Sequence, residues 1–396
     1  MRICVFTRTT LVHSMGGMEV HLDLLTKGLA KHGHSVTVIT TSHPRQVLED
    51  ESEGVKTYYL DGTMPGKYSR AWDRQAEKKL RALHGQEPFD AVLSESAGAF
   101  YLLRIRLNKK LRLPVILIMH GIFYNELKTR INMGLSLRGV LAIAYYIASY
   151  LFRDLVCFPR ADAVIATSVE QKYLIGKFFF LPDSKIFTVF NGIDTNLSAP
   201  DKDLKKKLGI TPEQKIILCI ARLKREKGLH VTLAALPEIL KYQPQARLLI
   251  VGDGEYRPAL DALAAGLGIT DKIKFAGMVP FVEIGKYFHL ADVFVNSTIR
   301  ENGYDLTIIQ AMAYAKPVVV SSLKSLKGVI EPGDNGFLVP RGQAHELAQA
   351  VVMVLDNQKL SAIVGARAQA KARKYFSVET MITETEKVLQ QCLSTK

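Results

Sequence analysis

Short apolar runs alternate along the chain with segments that have the periodicity of amphipathic helices. The runs are rich in valine and isoleucine, which favour strands. Seven lie in the first half of the sequence, at residues 3–6, 36–40, 55–60, 91–93, 115–119, 163–166 and 186–190. Five more follow, at residues 216–220, 248–251, 273–275, 293–295 and 318–320. Alternation of this kind predicts an α/β fold in which parallel sheets carry helices on both faces.

The interval between the two series has the composition of a linker. It contains Pro200 and Pro212 and a run of charged residues. Because 396 residues exceed what one hydrophobic core usually organises, two domains are expected. We therefore predict doubly wound domains at 1–195 and 215–375, joined by a linker at 196–214.

The composition is that of a folded soluble protein with an anionic partner. Hydrophobic residues make up 48% and charged residues 23%, which excludes a disordered majority. The net charge of +14 favours a nucleic acid, a nucleotide or an acidic membrane surface without choosing among them. The four cysteines are scattered without metal-ligand spacing, as is typical of reduced buried residues.

The sequence predicts neither export nor a membrane span. The first residues indicate a short strand rather than a signal peptide. The longest uncharged apolar run, 139–152, has fourteen residues, whereas a spanning helix needs about 20. We expect a cytoplasmic protein that can still associate peripherally with the cytoplasmic face of a membrane.

Two motifs of the first domain lie where strands end, which is where open parallel sheets bind ligands. Gly16 and Gly17 precede a helical pattern, so the backbone there can approach an anion. His120 follows the fifth strand, and its imidazole can donate or accept near neutral pH. Each has a plain alternative, since a Gly-Gly pair can be only a turn and a single histidine is often structural.

Cations and glycines also lie at strand ends in the second domain. Arg222 leaves the first strand and Lys227 precedes a helix, so both can converge above the sheet. Arginine binds phosphate oxygens with a planar fork, and lysine adds a point charge. Gly252 and Gly254 follow the next strand, which weakens the alternative of a solvated basic loop. The spacing lacks the third glycine of a dinucleotide fingerprint.

Residues 297–320, the hub segment, join a polar loop, an apolar helical pattern and a buried strand. The polar cluster at 300–305 directly precedes the helix, and Pro317 follows its end. A helix N-terminus presents unpaired N–H groups and the positive end of a dipole, which suits a diphosphate. We expect the active site at this junction.

The order of these motifs resembles that of the retaining glycosyltransferases of family four over nearly the whole chain. That family has the GT-B architecture, in which two Rossmann-like domains face a cleft. Residues 191–194 (NGID) are similar to its NGVD stretch, and residues 376–379 (FSVE) are similar to its FSWE. The latter likeness implies that 376–396 form a C-terminal helix that crosses back to the first domain.

The resemblance implies transfer of a hexosyl group from a nucleotide diphosphate sugar, a UDP- or GDP-sugar, to a hydroxyl acceptor with retention. His120 would contact the donor sugar, and Val279 would border the base. Arg222 and Lys227 would hold the diphosphate. The other donor-binding positions that it implies are Gly16, Gly17, Gly252, Gly254, Gly303, Tyr304, Asp305, Leu306, Thr307 and Gln310.

No metal or other cofactor is expected. Asp201 and Asp203 have the DxD spacing that holds a metal in the other major glycosyltransferase fold, but they lie in the predicted linker among lysines. A diphosphate held by Arg222 and Lys227 needs no metal ion.

The hub segment departs from the family where the family carries two glutamates eight apart, as in EGFGLTLLEAMA. Alignment on the shared AMA places Asn302 and Gln310 there, whereas a one-residue insertion would place Glu301 on the first glutamate. We count Glu301 and Asn302, with His120, as candidate catalytic residues. An amide still accepts a hydrogen bond, so donor binding should survive.

Asp305 replaces a glycine beside the expected phosphates. As an N-cap it would accept the N–H groups that a phosphate needs, and its charge would repel that phosphate. Its side chain therefore turns away or pairs with Arg300, and the sequence leaves both open.

The first domain should hold the acceptor. Residues 104–112 carry five cations, and 138–153 form an aromatic-rich apolar segment flanked by Arg138 and Arg153. Both suit an anionic leaflet and predict a lipid-linked or membrane-presented glycan as acceptor. A solvated basic face beside a buried helix is the alternative.

Two other function classes stay open. The departures in the hub segment also fit a catalytically inactive protein that only binds nucleotide sugars. The charge alone fits a nucleic-acid binder, whose binding would fall steeply with salt and ignore nucleotide sugars. The motifs favour the transferase, with no nucleic-acid partner.

Overall fold

The computed structural model of the protein describes residues 1–14, 16–132, 137–195, 197–300 and 303–394. The chain divides into two compact units. The first contains Met1–Ile193 with Ser377–Lys396, and the second contains Asp194–Arg300 with Tyr304–Phe376. The segment predicted as the linker, 196–214, groups with the second unit and contains a short helix.

The first unit is built on an eight-stranded sheet. Its strands are β1 (Arg2–Phe6), β2 (Ser35–Thr41), β3 (Glu49–Ser52), β4 (Val55–Leu60), β5 (Ala91–Glu95), β6 (Val115–Met119), β7 (Ala163–Ala166) and β8 (Ile186–Thr188). The order across the sheet is β3-β4-β2-β1-β5-β6-β7-β8, and only the pair β3 and β4 is antiparallel. The helices before the second unit are α1 (Gly17–Lys31), α2 (Arg70–Gln86), α3 (Phe100–Arg104), α4 (Leu107–Lys110), α5 (Phe123–Asn132), α6 (Leu137–Ser149), α7 (Leu155–Cys157) and α8 (Val169–Phe179).

The second unit has a six-stranded, fully parallel sheet. Its strands are β9 (Lys215–Ile220), β10 (Ala246–Val251), β11 (Ile273–Gly277), β12 (Val293–Asn296), β13 (Val318–Ser321) and β14 (Phe337–Val339). They follow the order β11-β10-β9-β12-β13-β14. The helices of this unit are α9 (Leu204–Lys207), α10 (Leu229–Tyr242), α11 (Arg257–Gly266), α12 (Ile284–Leu290), α13 (Leu306–Ala313), α14 (Ala344–Asp356) and α15 (Gln358–Tyr375).

All twelve predicted strands are present, and most of them are apolar runs that are buried along their length. Strand β6, for example, reads VILIM and is buried along its whole length. The sequence missed β3 and β14. Strand β3 reads EDES and is exposed at every position, so it has no apolar signal, and β14 is only three residues long.

The apolar segment predicted at 139–152 belongs to a longer helix than expected. After α6, a π-helical turn at Tyr150–Asp154 continues the helix, so that Val140–Arg160 span 21 residues with a mean hydropathy of 1.5. This helix is long and apolar enough to cross a membrane, which corrects the expectation of a run too short to do so. Arg153 and Asp154 interrupt the apolar sequence, but they pair at 2.7 Å between Nε and Oδ1.

The C-terminal helix α16 (Val378–Ser394) packs against α1. Its buried Ile382 and Leu389 join the core that contains Leu25 of α1. At the helix surface, the Glu386 carboxylate lies 2.8 Å from His34 Nε2. The chain thus returns to the first unit after completing the second.

Gly192 lies where the first unit meets the start of α16. A Cβ atom at this position would stand 2.8 Å from the Cα atom of Val378 and 3.0 Å from the carbonyl oxygen of Ser377. Because backbone atoms cannot rotate away, we expect Gly192→Ala to destabilise the chain by about 1–3 kcal/mol. Thermal unfolding monitored by circular dichroism measures the change.

Gly85 of α2 provides the control for this substitution, since a Cβ atom there meets nothing within 4 Å. Gly85→Ala should stabilise the chain by up to about 1 kcal/mol through its higher helix propensity. A melting temperature unchanged by Gly192→Ala would show that the junction is loosely packed.

Candidate active site

The loop after β1 is organised by a buried carboxylate. Gly16 is the N-cap of α1, and Gly17 is its first residue. Glu19 accepts hydrogen bonds from Thr9 Oγ1 at 2.7 Å and from Ser14 Oγ at 3.0 Å. A Cβ atom at position 16 would lie 2.7 Å from Glu19 Oε2. Gly16 therefore packs closely against this carboxylate, and its contact with a donor stays a prediction.

A cluster of three ionisable side chains lies beside this loop in the first unit. Glu95 ends β5 and is fully buried, and His120 directly follows the neighbouring strand β6. The Nε2 atom of His120 contacts Glu95 Oε2. His21 of α1 completes the cluster, with Nε2 at 3.6 Å from Glu95 Oε1 and its ring centroid 4.7 Å from that of His120. Glu95 is thus placed to orient the imidazole of His120.

Sequence reasoning identified His120 but missed both of its neighbours. Glu95 ends an apolar strand, and His21 lies inside a helical pattern, so neither belongs to a local motif. The pairing of strands β5 and β6 would have indicated that Glu95 lies near His120. In the parallel pair β5 and β6, Glu95 lies opposite Ile118, two residues before His120.

Burial controls the charge of His21 within this cluster. It lowers the pKa of the His21 imidazole to about 4, because desolvation and the nearby His120 outweigh the attraction of Glu95. Neither ring nitrogen of His21 has a hydrogen-bond partner among the described residues. His21 is therefore neutral near pH 7.

The same three residues could hold a cation. Their ligand atoms lie within 4.8 Å of one another, and two imidazoles with a carboxylate suit a transition metal. The direct contact of His120 with Glu95 already uses one atom of each for a hydrogen bond. The expectation of a metal-independent protein stays a prediction.

The low pKa of His21 makes stability depend on pH. The unfolded chain binds a proton on His21 near pH 6.5, whereas the folded chain does so only near pH 4. Acidification across this window therefore favours unfolding, by on the order of 3 kcal/mol at its lower end. Nuclear magnetic resonance titration of the ring protons, assigned through His21→Gln, measures the pKa directly.

His345 of α14 is the internal reference for this titration. Its hydrogen bond to Glu238 raises the pKa of that exposed imidazole. The pKa of His345 should therefore lie above the usual value for histidine, whereas that of His21 lies below it. A His21 signal that titrates at or above pH 6.5 would contradict a neutral buried ring.

In the second unit, close approaches of backbone shape the loop after β9. Gly252 and Gly254 have positive φ angles of 126° and 157°. A Cβ atom on Gly252 would overlap the carbonyl oxygen of Ala221, and one on Gly254 would overlap that of Leu223. Ala221 and Leu223 flank Arg222. These glycines therefore hold the loop that presents the exposed Arg222, and their contact with a nucleotide stays a prediction.

Lys227 lies in the turn before α10 and is 9% exposed. Gly228 follows in the left-handed region, with φ 70°, where a Cβ atom would overlap the carbonyl oxygen of Ser297 after β12. The Oγ atom of Ser297 in turn donates to the carbonyl oxygen of Gly228 at 2.8 Å. The loops after β9 and β12 are thereby held against each other.

The position of the Asp305 side chain, which the sequence left open, is defined by the structure. Asp305 is the N-cap residue of α13 but makes no side-chain capping hydrogen bond. Its carboxylate pairs instead with the ammonium of Lys227 and, at 2.9 Å, with Nη2 of Arg300. Asn296 Nδ2 donates to the same carboxylate at 2.9 Å. The pairing with Arg300, one of the two alternatives that the sequence left open, is therefore one of three contacts.

These contacts fix the charge of Asp305. Burial by itself would raise the pKa of this carboxyl, but the adjacent charges of Lys227 and Arg300 outweigh burial and hold the pKa below its usual range. Asp305 is ionised across the physiological pH range, and it compensates one of the two cations.

Most of the remaining predicted positions lie on the hub segment. Leu306 and Thr307 form the first turn of α13, and Gln310 is half-buried on the same helix. Gly303 has φ 64°, and Val279 is half-buried after β11. Glu301 and Asn302 lie outside the described residues.

Solved structures share this architecture. Sucrose-phosphate synthase from Thermosynechococcus elongatus matches with a TM-score of 0.82 over 100% of both chains, at 19% identity. Anabaena HepE in complex with UDP-glucose matches with a TM-score of 0.74 over 100% of both chains, at 21% identity. Two Rossmann-like parallel-sheet units of this kind define the GT-B fold of glycosyltransferases, which confirms the predicted fold class.

Two family models then identify the chain more closely. Residues 15–197 match Glycosyltransferase Family 4, and residues 200–371 match Glycosyl transferases group 1. The chain belongs to the glycosyltransferases, with a family 4 domain followed by a group 1 domain.

Relatives along the full length agree with this assignment. A glycosyltransferase of Methanocaldococcus jannaschii is 27% identical over 98% of this chain and 97% of its own length. An alpha-monoglucosyldiacylglycerol synthase of Streptococcus pneumoniae is 26% identical over 90% of this chain and 78% of its own length.

Proposed function

We propose that the protein is a retaining hexosyltransferase that uses a UDP- or GDP-sugar as donor and a hydroxyl group as acceptor. The observation that carries this proposal is the pair of cations Lys227 and Arg300 at the N-terminus of α13, where Asp305 contacts both. Cations beside free helix amides suit a diphosphate. The exposed Arg222 after β9 adds a third cation.

Catalysis in this proposal rests on stabilising the leaving diphosphate. Negative charge gathers there as the glycosidic bond breaks, and the cations with the amides of Leu306 and Thr307 stabilise it. No protein nucleophile is needed, so an amide at Asn302, in place of the first glutamate of the family, leaves the chemistry intact, and Gln310 would bind a ribose hydroxyl. His120 is the predicted sugar contact, and Glu95 would fix its ring. The scheme requires no metal ion.

Loss of the buried cation should abolish donor binding. We expect a matching UDP- or GDP-sugar to raise the melting temperature of the protein, with about 2.7 kcal/mol of stabilisation at a ligand concentration of 100 Kd. Lys227→Met should remove this stabilisation, because Arg222 and Arg300 alone offset the diphosphate less well. A thermal-shift screen in buffer with EDTA measures both the effect and its independence of metal.

Lys241→Met is the matched control, since Lys241 is an exposed lysine at the end of α10. It should keep the full ligand-induced shift. Equal shifts in both variants would remove Lys227 from the donor site, and shifts that appear only after a divalent ion is added would contradict metal independence.

A catalytically inactive nucleotide-sugar-binding protein is the second candidate. The observation that favours it is the ion pair of Asp305 with Lys227, which neutralises a cation that the leaving group needs. Slow hydrolysis of the stabilising donor by the wild type would support the enzyme. Tight binding with neither hydrolysis nor transfer across a broad acceptor panel would support the inactive protein.

We also propose a lipid-linked or membrane-presented acceptor, with α6 and its continuation on an anionic membrane surface. Only 11% of the apolar window within Val140–Arg160 is buried. Leu141, Tyr145 and Phe152 are 65%, 64% and 80% exposed, and their spacing puts them along one side of the helix. The relative from Streptococcus pneumoniae, by its name, makes a glycolipid.

Basic residues near this helix in the sequence support the same proposal. The first unit exposes five cations, namely Arg104, Arg106, Lys109, Lys110 and Arg112, of which Lys109 also pairs with Asp162 at 3.3 Å. Each lysine or arginine near an anionic leaflet contributes about 1 kcal/mol to binding. Apolar insertion and charge attraction would then act together.

A charge on the exposed helix face should weaken membrane binding. Tyr145 is 64% exposed on α6, on the side that also carries Leu141 and Phe152, and Tyr145→Glu places a carboxylate where the proposal puts an acyl boundary. We expect the fraction of protein that floats with anionic vesicles at low salt to fall several-fold. Tyr242 of α10 has a similar exposure of 66% in the second unit, so Tyr242→Glu is the control. Wild-type protein that does not float at all would remove the membrane from the proposal.

A further inference from the structure

We infer that Asp305 is an internal counterion that competes with the diphosphate of the ligand and selects against the nucleoside diphosphate product. The inference rests on the proposed donor site and assigns one residue of that site a specificity role. It concerns the position where this chain carries a carboxylate and the family a glycine.

The geometry puts the carboxylate in direct competition for the phosphate-binding groups. Asp305 accepts from Lys227 and Arg300, which are the two cations proposed to hold the diphosphate. Asn296 Nδ2 donates to its other oxygen, Oδ2, and fixes the side chain from β12. The carboxylate is 12% exposed, so water screens these interactions only weakly. A diphosphate that binds these cations must share them with Asp305.

Unpaired polar atoms around Asp305 point to a ligand with several acceptors or donors. Arg300 Nε, Tyr304 Oη and Thr307 Oγ1 are all buried without a hydrogen-bond partner among the described residues. Leaving such an atom unsatisfied costs about 1–3 kcal/mol. All three lie within eight residues of sequence that include Asp305. A polar ligand at this point would account for them.

The donor and the product differ in charge at the diphosphate. A free nucleoside diphosphate has a terminal phosphate whose last ionisation has a pKa of about 6. Near neutral pH it therefore carries about one more negative charge than the nucleotide sugar, whose terminal phosphate is esterified. A fixed carboxylate repels the more negative ligand more strongly. Asp305 thus weakens both ligands but weakens the product more, which favours product release.

Calorimetric titration of wild type and Asp305→Asn tests the inference, with UDP and UDP-glucose or GDP and GDP-mannose, whichever pair the wild type binds. The substitution keeps the shape of the side chain and removes its charge. We expect the Kd of the nucleoside diphosphate to fall about tenfold or more and that of the nucleotide sugar to fall less, about threefold. Product inhibition of donor turnover should strengthen in parallel.

Two further variants separate charge from folding. Asp305→Gly restores the residue of the family pattern and also removes the charge. If Asp305→Asn folds poorly, Asp305→Gly replaces it, and the Kd values of both ligands should again fall. Asp334→Asn is the matched control, because Asp334 is 46% exposed in the second unit and pairs with Arg367 at 2.7 Å. It removes the same charge and an ion pair with arginine, and it should leave both Kd values unchanged.

The outcomes distinguish the inference from the proposal beneath it. If the wild type binds nucleotide and both Asp305 variants bind it equally well or more weakly, the counterion role of Asp305 is wrong and the donor site stands. Asp305 would then order Lys227 for the phosphate. An equal gain for nucleoside diphosphate and nucleotide sugar would overturn the selection against product. Failure of every variant and the wild type to bind any nucleotide would overturn the donor site and the inference together.

Discussion

The ion pair between Lys227 and Asp305 connects the two loops on which the site of the second unit depends. Lys227 lies before α10 and Asp305 before α13, and both side chains are largely buried. A buried charge without its partner destabilises a fold by several kcal/mol, so each loop fixes the position of the other. Gly228 permits the approach, since any side chain there would overlap the backbone of Ser297.

The buried ionisable groups of the first unit are arranged differently from those of the second. Glu95 contacts His120, while desolvation keeps His21 neutral. In the second unit, the charges of Lys227 and Arg300 lower the pKa of Asp305, so this carboxylate stays ionised near neutral pH. The cluster around Glu95 instead changes its charge on acidification, because His21 binds a proton near pH 4. The two units therefore differ in how their electrostatics depend on pH.

The features that sequence reasoning found are those with local signals. Apolar runs identified the strands, and the glycines at 252 and 254 identified a tight loop after β10. The ion pair between Lys227 and Asp305 joins residues 78 apart, and no local pattern reports such a contact. The contact of Glu95 with His120 spans 25 residues and depends on β5 and β6 being neighbours. Asp305 looked like an N-cap by its position, but two cations bound its carboxylate more strongly than helix amides could.

The hub segment departs from the family pattern in its charges rather than its fold. In either alignment, Gln310 supplies an amide where the family has its second glutamate, while Asp305 adds a carboxylate where the family has a glycine. That carboxylate does not replace the missing acceptor. It has about four lone-pair sites, and Lys227, Arg300 and Asn296 already donate to three of them. Little capacity remains for a sugar or ribose hydroxyl, so Asp305 acts through its charge on whatever shares its cations.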